Sequence, residues 1–183
     1  MPSNVRVAVR VRPLLPHEVQ AGHTQKLLQV DPNKNQVALY QADNNTKKNY
    51  AFDKILDGDH TQEDVFESLQ VPALIQKVVD GFHATIFAYG QTGSGKTFTM
   101  EGYEYGTAAK KNNPDQRAGK VVVSNFDNYN NGITVRAIRD AFEKAEQVKN
   151  SKHVTISCSF LQIYNEKVFD LLNTSKIKKQ QGK

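Results

Sequence analysis

Hydrophobic and other residues alternate strictly from Val5 to Val11 (VRVAVRV). Val5, Val7, Val9 and Val11 take one face and Arg6, Ala8 and Arg10 the other, which predicts a strand stopped by Pro13. Residues 26–52 hold three more short runs, KLLQV, QVALY and NYAF, divided by DPNKN and QADNNTKK. Short strands split by polar turns are expected there. The period then changes. Val65, Phe66, Leu69, Ala73 and Leu74 follow Thr61 at helical spacing, so a helix is expected, with Thr61 as N-cap and Asp64 completing a weak form of the capping box. Pro72 should kink or split that helix, and Gly81 should end it.

Ala84 to Tyr89 (ATIFAY) is a nearly unbroken apolar run. It predicts a strand buried on both faces, as in a parallel sheet covered by helices, with a helix starting near Lys96. Residues 101–132 are rich in Gly, Asn, Lys and Asp. They read as a long irregular insertion, with VVV at 121–123 as the one apolar patch and the place for a small strand. Val135 to Val148 predicts a helix with Ala137, Ile138, Ala141, Phe142 and Ala145 facing inward. Val154 to Tyr164 alternates again as a strand, and Asn165 and Glu166 read as the turn to a short partner, Lys167 to Leu171. The basic tail, residues 176–183, is expected to be frayed.

The chain has 183 residues, enough for one domain with a core and few for two. With 38% hydrophobic and 23% charged residues the composition is that of a globular protein. A net charge of +5 is a mild lean toward acidic partners, but five charges spread over a surface make no patch. The single Cys158 excludes a disulfide framework or a cysteine-based zinc site and reads as a small buried hydrophobe. No apolar run reaches membrane-spanning length and no signal peptide opens the chain, so an intracellular protein without a membrane partner is expected. The five histidines have no metal-ligand spacing. The basic pairs Lys47–Lys48 and Lys110–Lys111 have no interleaved aromatic platform, which argues against nucleic acid as a partner.

The sharpest chemistry is GQTGSGKT: Gly90, Gln91, Thr92, Gly93, Ser94, Gly95, Lys96 and Thr97. Its glycines let the backbone wrap an anion at dihedral angles other residues resist. The loop N–H groups then face phosphate oxygens, with a helix N-terminus behind them. Lys96 reaches the β- and γ-phosphates and the Thr97 hydroxyl ligates Mg2+. A nucleoside triphosphate with Mg2+ is therefore the expected ligand. Guanine readers usually carry an [NT]KxD element, and NKNQ at 33–36 and TKKN at 46–49 both lack its Asp, which leans toward adenine. Phe98 is either a stacking surface for the purine or a core aromatic at the helix start. Hydrolysis further needs an Asp at the end of an apolar strand and a group that orients water. Asp170, in VFD, reads as a solvated hairpin residue, Asp127 lies in the polar insertion, and no D-x-x-G occurs. The loop chemistry is present and the rest of an ATPase is not found.

Five stretches in order together resemble the kinesin motor domain family: VRVAVRVRPL, YAFDKIL with TQEDVFESL, GFHATIFAYGQTGSGKTFTMEG, GITVRAIRDAF, and SCSFLQIYNEKVFDLL. They cover about residues 1–175, read as a partial motor domain. Three positions depart from the family's pattern: Val135 where a Pro is usual, Gln162 where a Glu is usual, and Phe98 where a His is frequent. The resemblance implies an α/β P-loop NTPase, a three-layer fold with a mostly parallel or mixed central sheet and helices on both faces. It also implies ATP with Mg2+ as cofactors. Arg10 and Pro13 would border the adenine, Phe98 would stack on it, residues 90–97 would hold the phosphates, and Thr97 the metal. The insertion at 101–131 corresponds to the family's variable loop beside the nucleotide. The family converts ATP hydrolysis into movement along microtubules, so tubulin is the implied partner and the cytoplasmic microtubule cytoskeleton the implied location.

The next blocks of the family, switch I (N-x-x-S-S-R-S-H) and switch II (D-L-A-G-S-E), do not occur in this sequence. The expectation is thus a fold incomplete on its C-terminal side, an unpaired apolar edge at residues 84–88, and no ATP turnover by this chain alone. No catalytic residue is assigned. The alternative is a non-catalytic short product that binds nucleotide or a partner and regulates a full-length motor. An unrelated P-loop nucleotide kinase or nucleic-acid ATPase is disfavoured by the R-V-R-P and IYNEKVFDLL blocks.

Overall fold

The computed structural model describes residues 5–24, 26–41, 46–102 and 128–173. It divides into two compact units, Met1–Glu146 and Gln147–Lys183. The fold is α/β, and no helix among the described residues is long and apolar enough to cross a membrane.

The first unit opens with β1 (Ala8–Arg10), shorter than the alternating run predicts. Val5 and Val7 are exposed, because only three residues find a ladder partner: β1 pairs in parallel with β5 (Lys54–Leu56). A short helix absent from the sequence reading, α1 (Pro16–Gln20), follows, with Pro16 supplying a preset φ at its first turn. Then β2 (Leu28–Asp31), β3 (Gln36–Tyr40) and β4 (Lys47–Ala51) form an antiparallel meander where the three polar-divided runs place it. Asn35, at φ 50° in the β2–β3 turn, ties the meander to β5, because its side-chain oxygen accepts from Ile55 N–H at 3.1 Å. The NKNQ stretch is therefore turn chemistry, and TKKN runs into β4.

Thr61 caps α2 (Gln62–Ser68) as expected. Its hydroxyl accepts from Asp64 N–H at 3.1 Å while the Asp64 carboxylate accepts from Thr61 N–H at 2.8 Å. The helix does split near Pro72: Gln70 adopts φ 55°, and α3 (Val71–Val79) starts afresh with Pro72 in its first turn. That break resets the helical phase. Val71 is buried beside Val65 and Phe66, whereas Ala73, expected inward, is exposed. After Gly81 (φ 100°) the helix is over.

ATIFAY corrects the sequence reading. Residues 82–90 form no regular structure, Phe87 is 80% and Tyr89 95% exposed, and only Ile86 packs on the core. An apolar run becomes a buried strand only where ladders form on its edges, and among the described residues none does. The helix at the loop, α4 (Lys96–Met100), starts where expected. The insertion's interior, VVV at 121–123 and Asp127 included, lies outside the described residues. Its two flanks meet at Gly102 and Asn131, joined by a β-bridge. A Cβ on Gly102 would sit 2.1 Å from the Asn130 carbonyl oxygen, so glycine is the residue that lets these backbones touch.

The long helix α5 (Ile133–Val148) starts two residues before the expected position. Its buried side is set by Ile133 and Val135, leaving Ile138 and Phe142 exposed, contrary to expectation. The unit's core is Leu56, Val65, Phe66, Val71 and Ile133, with Leu69, Ile75, Ile86, Met100 and Ala137 against it.

In the second unit β6 (Leu161–Tyr164) and β7 (Lys167–Asp170) make an antiparallel hairpin around Asn165 and Glu166, the expected turn. Both turn residues have positive φ, 47° and 60°, as a two-residue I′ turn requires. The strand predicted from Val154 is shorter. Residues 152–160 are irregular and exposed, and Cys158 is exposed rather than buried. Asp170 is the exposed hairpin residue expected, and it accepts from Leu172 N–H at 3.0 Å. The tail at 176–183 lies outside the described residues.

Candidate nucleotide-binding site

The loop from Gly90 to Thr97 is a turn running into α4. Ser94 N–H donates to the Gln91 carbonyl at 3.2 Å, closing the turn. Gly95 is the N-cap of α4 at φ 96°, ψ 18°, a left-handed conformation that side chains with a Cβ resist. At Gly90 a Cβ would lie 2.5 Å from Ser94 Oγ, so this position admits no side chain without moving the loop. The Lys96 ammonium turns back onto the loop and donates to the carbonyls of Gly90 and Gln91, both at 2.9 Å. The loop thus holds a cation over its own mouth, ringed by backbone, and Thr97 beside it is exposed. This donor set fits a phosphate chain, whose oxygens can replace the two carbonyls on Lys96. The Thr97 hydroxyl is available to a divalent cation.

Beside the loop lies a pocket of about 320 Å³, within the size range of small-ligand sites. Arg10, Pro13 and Phe98 line it together with Ser94 and Gly95. Two segments far apart in the chain therefore converge, namely the end of β1 with the residues that follow it, and the loop running into α4. Phe98 is 43% exposed, with the Arg10 guanidinium 5.1 Å from its ring centroid, a cation–π distance. Arg10 is held from the other side by Gln62 Oε1 at 2.9 Å and Thr99 Oγ1 at 3.0 Å. Its partial burial pushes the guanidinium below its ordinary value.

Several residues of the pocket have no sequence signal. Gln62 is buried, and its amide donates to the Phe98 carbonyl at 2.6 Å while its oxygen accepts from Arg10. One side chain thus fixes both walls, but a Gln after an N-cap announces nothing of the kind. Asp57 and His60 form a second wall, 2.7 Å apart from Oδ1 to Nδ1. That hydrogen bond, with the Asp59 N–H, holds the Asp57 carboxyl below its usual range. Arg12 reaches the loop directly, since its Nε–H donates to the Gly93 carbonyl at 2.9 Å. Its remaining fork meets Glu18 at 2.7 and 2.6 Å. Arg12 and Glu18 are six residues apart across two prolines, a spacing that no helix places on one face and that these prolines keep out of a strand.

Comparison with known proteins adds three findings. The kinesin motor domain model matches residues 10–183. The chain is 36% identical over 173 residues to Kinesin-like protein KIN-14J of Oryza sativa subsp. japonica, covering 94% of this chain and 17% of that protein. It is 37% identical over 176 residues to Chromosome-associated kinesin KIF4A of Homo sapiens, covering 96% of this chain and 12% of that protein. The chain is thus similar to these relatives over nearly all of its own length and spans less than a fifth of theirs.

Proposed function

The chain belongs to the kinesin motor domain family, and from that premise we propose that it is the ATP-binding part of a microtubule motor. The observation behind this reading is the convergence of Arg10, Pro13 and Phe98 with Ser94 and Gly95 on one pocket beside the loop. In this reading a purine stacks on Phe98 and is bordered by Arg10 and Pro13. The absence of a guanine-reading NKxD element favours adenine. The phosphates lie in the loop from Gly90 through Gln91, Thr92, Gly93, Ser94 and Gly95 to Lys96 and Thr97. Lys96 leaves the two loop carbonyls for the phosphate oxygens, exchanging neutral acceptors for charged ones, which strengthens each hydrogen bond. Thr97 ligates Mg2+, which when bound neutralises phosphate charge.

The larger setting is part of the same proposal. Residues 1–175 are read as motor-domain sequence of a three-layer α/β fold, and 176–183 as a basic tail. Tubulin is the partner, and the microtubule cytoskeleton of the cytoplasm the location. Hydrolysis is not assigned to any residue of this chain.

The test is titration of purified protein with Mg-ATP, with steady-state turnover measured with and without microtubules. Saturable Mg-ATP binding that Lys96→Ala abolishes is the expected result. Microtubule-stimulated turnover would place the complete motor cycle in this chain. Binding without turnover would limit it to nucleotide capture, as the alternative of a non-catalytic regulator requires. No binding by the wild-type protein overturns the proposal.

A further inference from the structure

Arg12 is held more tightly than a surface arginine needs to be. Its Nε–H donates to the Gly93 carbonyl, one Nη to the Pro13 carbonyl at 2.9 Å and to Glu18 Oε2 at 2.7 Å, and the other Nη to Glu18 Oε1 at 2.6 Å. Glu18 is itself fixed, because its Oε2 accepts from Leu15 N–H at 2.7 Å, which caps α1. A short helix without any buried residue is thereby tied through one guanidinium to the middle of the phosphate loop.

Peptide geometry gives this tie a consequence. In a trans peptide the C=O of one residue and the N–H of the next point to opposite sides of the chain. With the Gly93 carbonyl drawn to Arg12, the Ser94 N–H must point the other way, and it closes the turn onto the Gln91 carbonyl. Gly93 sits at φ 81°, where a glycine peptide can otherwise rotate at little cost. Within the loop the turn hydrogen bond from Ser94 N–H to the Gln91 carbonyl, at 3.2 Å, opposes that rotation, and the Arg12 contact adds a second hold from outside it.

We propose that Arg12, clamped by Glu18, is a positioning residue that holds the Gly93–Ser94 peptide in the turn closed by Ser94 N–H on the Gln91 carbonyl, and so keeps the loop in the shape that takes phosphate. The inference rests on the nucleotide reading above and adds to it a brace outside the loop motif. The pair is bidentate, a geometry lysine cannot reproduce. Arg12 also lines the pocket, so the competing role is direct contact with phosphate. The two roles predict opposite effects of removing Glu18. A brace that loses its clamp lets the loop peptide rotate and weakens binding. A phosphate ligand released from a competing carboxylate strengthens it.

The experiment uses Glu18→Gln and Arg12→Lys in the intact protein, with Mg-ATP affinity by calorimetry and the Ser94 amide resonance followed without nucleotide. The expected result is Mg-ATP binding weakened about tenfold in both variants, the scale of one charge-assisted hydrogen bond, together with a displaced Ser94 amide signal in Glu18→Gln. Tighter binding by Glu18→Gln, or affinity within twofold of wild type with the Ser94 signal unmoved, overturns the brace. Wild-type protein that binds no Mg-ATP sinks the nucleotide reading and the brace together, whereas intact wild-type binding with unaffected variants sinks the brace alone. Should Arg12→Lys fail to fold, Glu18→Gln decides alone, since it keeps Arg12 and the volume of the acid.

Discussion

Glu18 shows how much one half-buried side chain can be altered by its neighbours. The Arg12 hydrogen bonds first, then the Leu15 N–H, hold its carboxyl at about 2, down from 4.5. A carboxyl whose folded value is depressed stabilises the fold fully above its unfolded value and loses that contribution as pH falls toward the folded one. The tie between α1 and the loop should therefore weaken progressively from about pH 4.5 to about pH 2. Thermal midpoints across that window should fall more steeply in wild type than in Glu18→Gln, which has no proton to gain at this position. Parallel slopes would show that the pair does not couple to folding. Arg10, Gln62 and Phe98 form a comparable set at the pocket, where a buried amide holds two walls at once.

At the scale of elements, caps and turns decide where helices and hairpins begin. Thr61 and Asp64 satisfy each other's backbone donors at the start of α2, whose buried Val65 and Phe66 anchor the core. Thr61→Ala should cost about 1 kcal/mol, read as a lower denaturant midpoint with unchanged slope. The β6–β7 turn offers the opposite sign. Glu166 holds φ 60° with a Cβ that disfavours it, at a cost of about 1–2 kcal/mol. Glu166→Gly should recover part of that and raise hydrogen-exchange protection of the hairpin amides; lower protection would show that the Glu side chain earns its place. Residue periodicity was a sound guide to α2 because its cap, its inner face and Pro72 all agreed. It misplaced the inner face of α3, because one left-handed residue, Gln70, rotated the phase by an amount no periodicity contains.

For the whole molecule the open question is what its apolar surface meets. Phe82, Phe87 and Tyr89 are 67, 80 and 95% exposed within eight residues of chain that form no ladder among the described residues. Contiguous exposed apolar surface of this kind marks an interaction site or an aggregation liability. Phe87→Lys should reduce concentration-dependent light scattering without lowering the thermal midpoint, since Phe87 is not among the core residues. A fall in midpoint would mean that the ring packs more than its exposure indicates. The hairpin of the second unit is similarly open, with Ile163 77% and Val168 64% exposed.

Local chemistry was legible from residues alone wherever a few neighbours determine it. The phosphate-loop pattern, the Thr61 cap, the Asn165–Glu166 turn and the ordered blocks that carry the family likeness are all short-range features. They depend on φ preferences, hydrogen-bonding reach and spacing along one segment. Tertiary structure decided the rest, because burial and pairing belong to partners and not to the segment itself. ATIFAY has the composition of a two-sided core strand, yet among the described residues no ladder forms on its edges and it is largely exposed. Cys158 and the Val154 run are exposed for want of cover. The Arg12–Glu18 clamp and the bridging Gln62 exist because β1, α1, α2 and the loop come together in three dimensions, and no spacing in the sequence encodes that meeting.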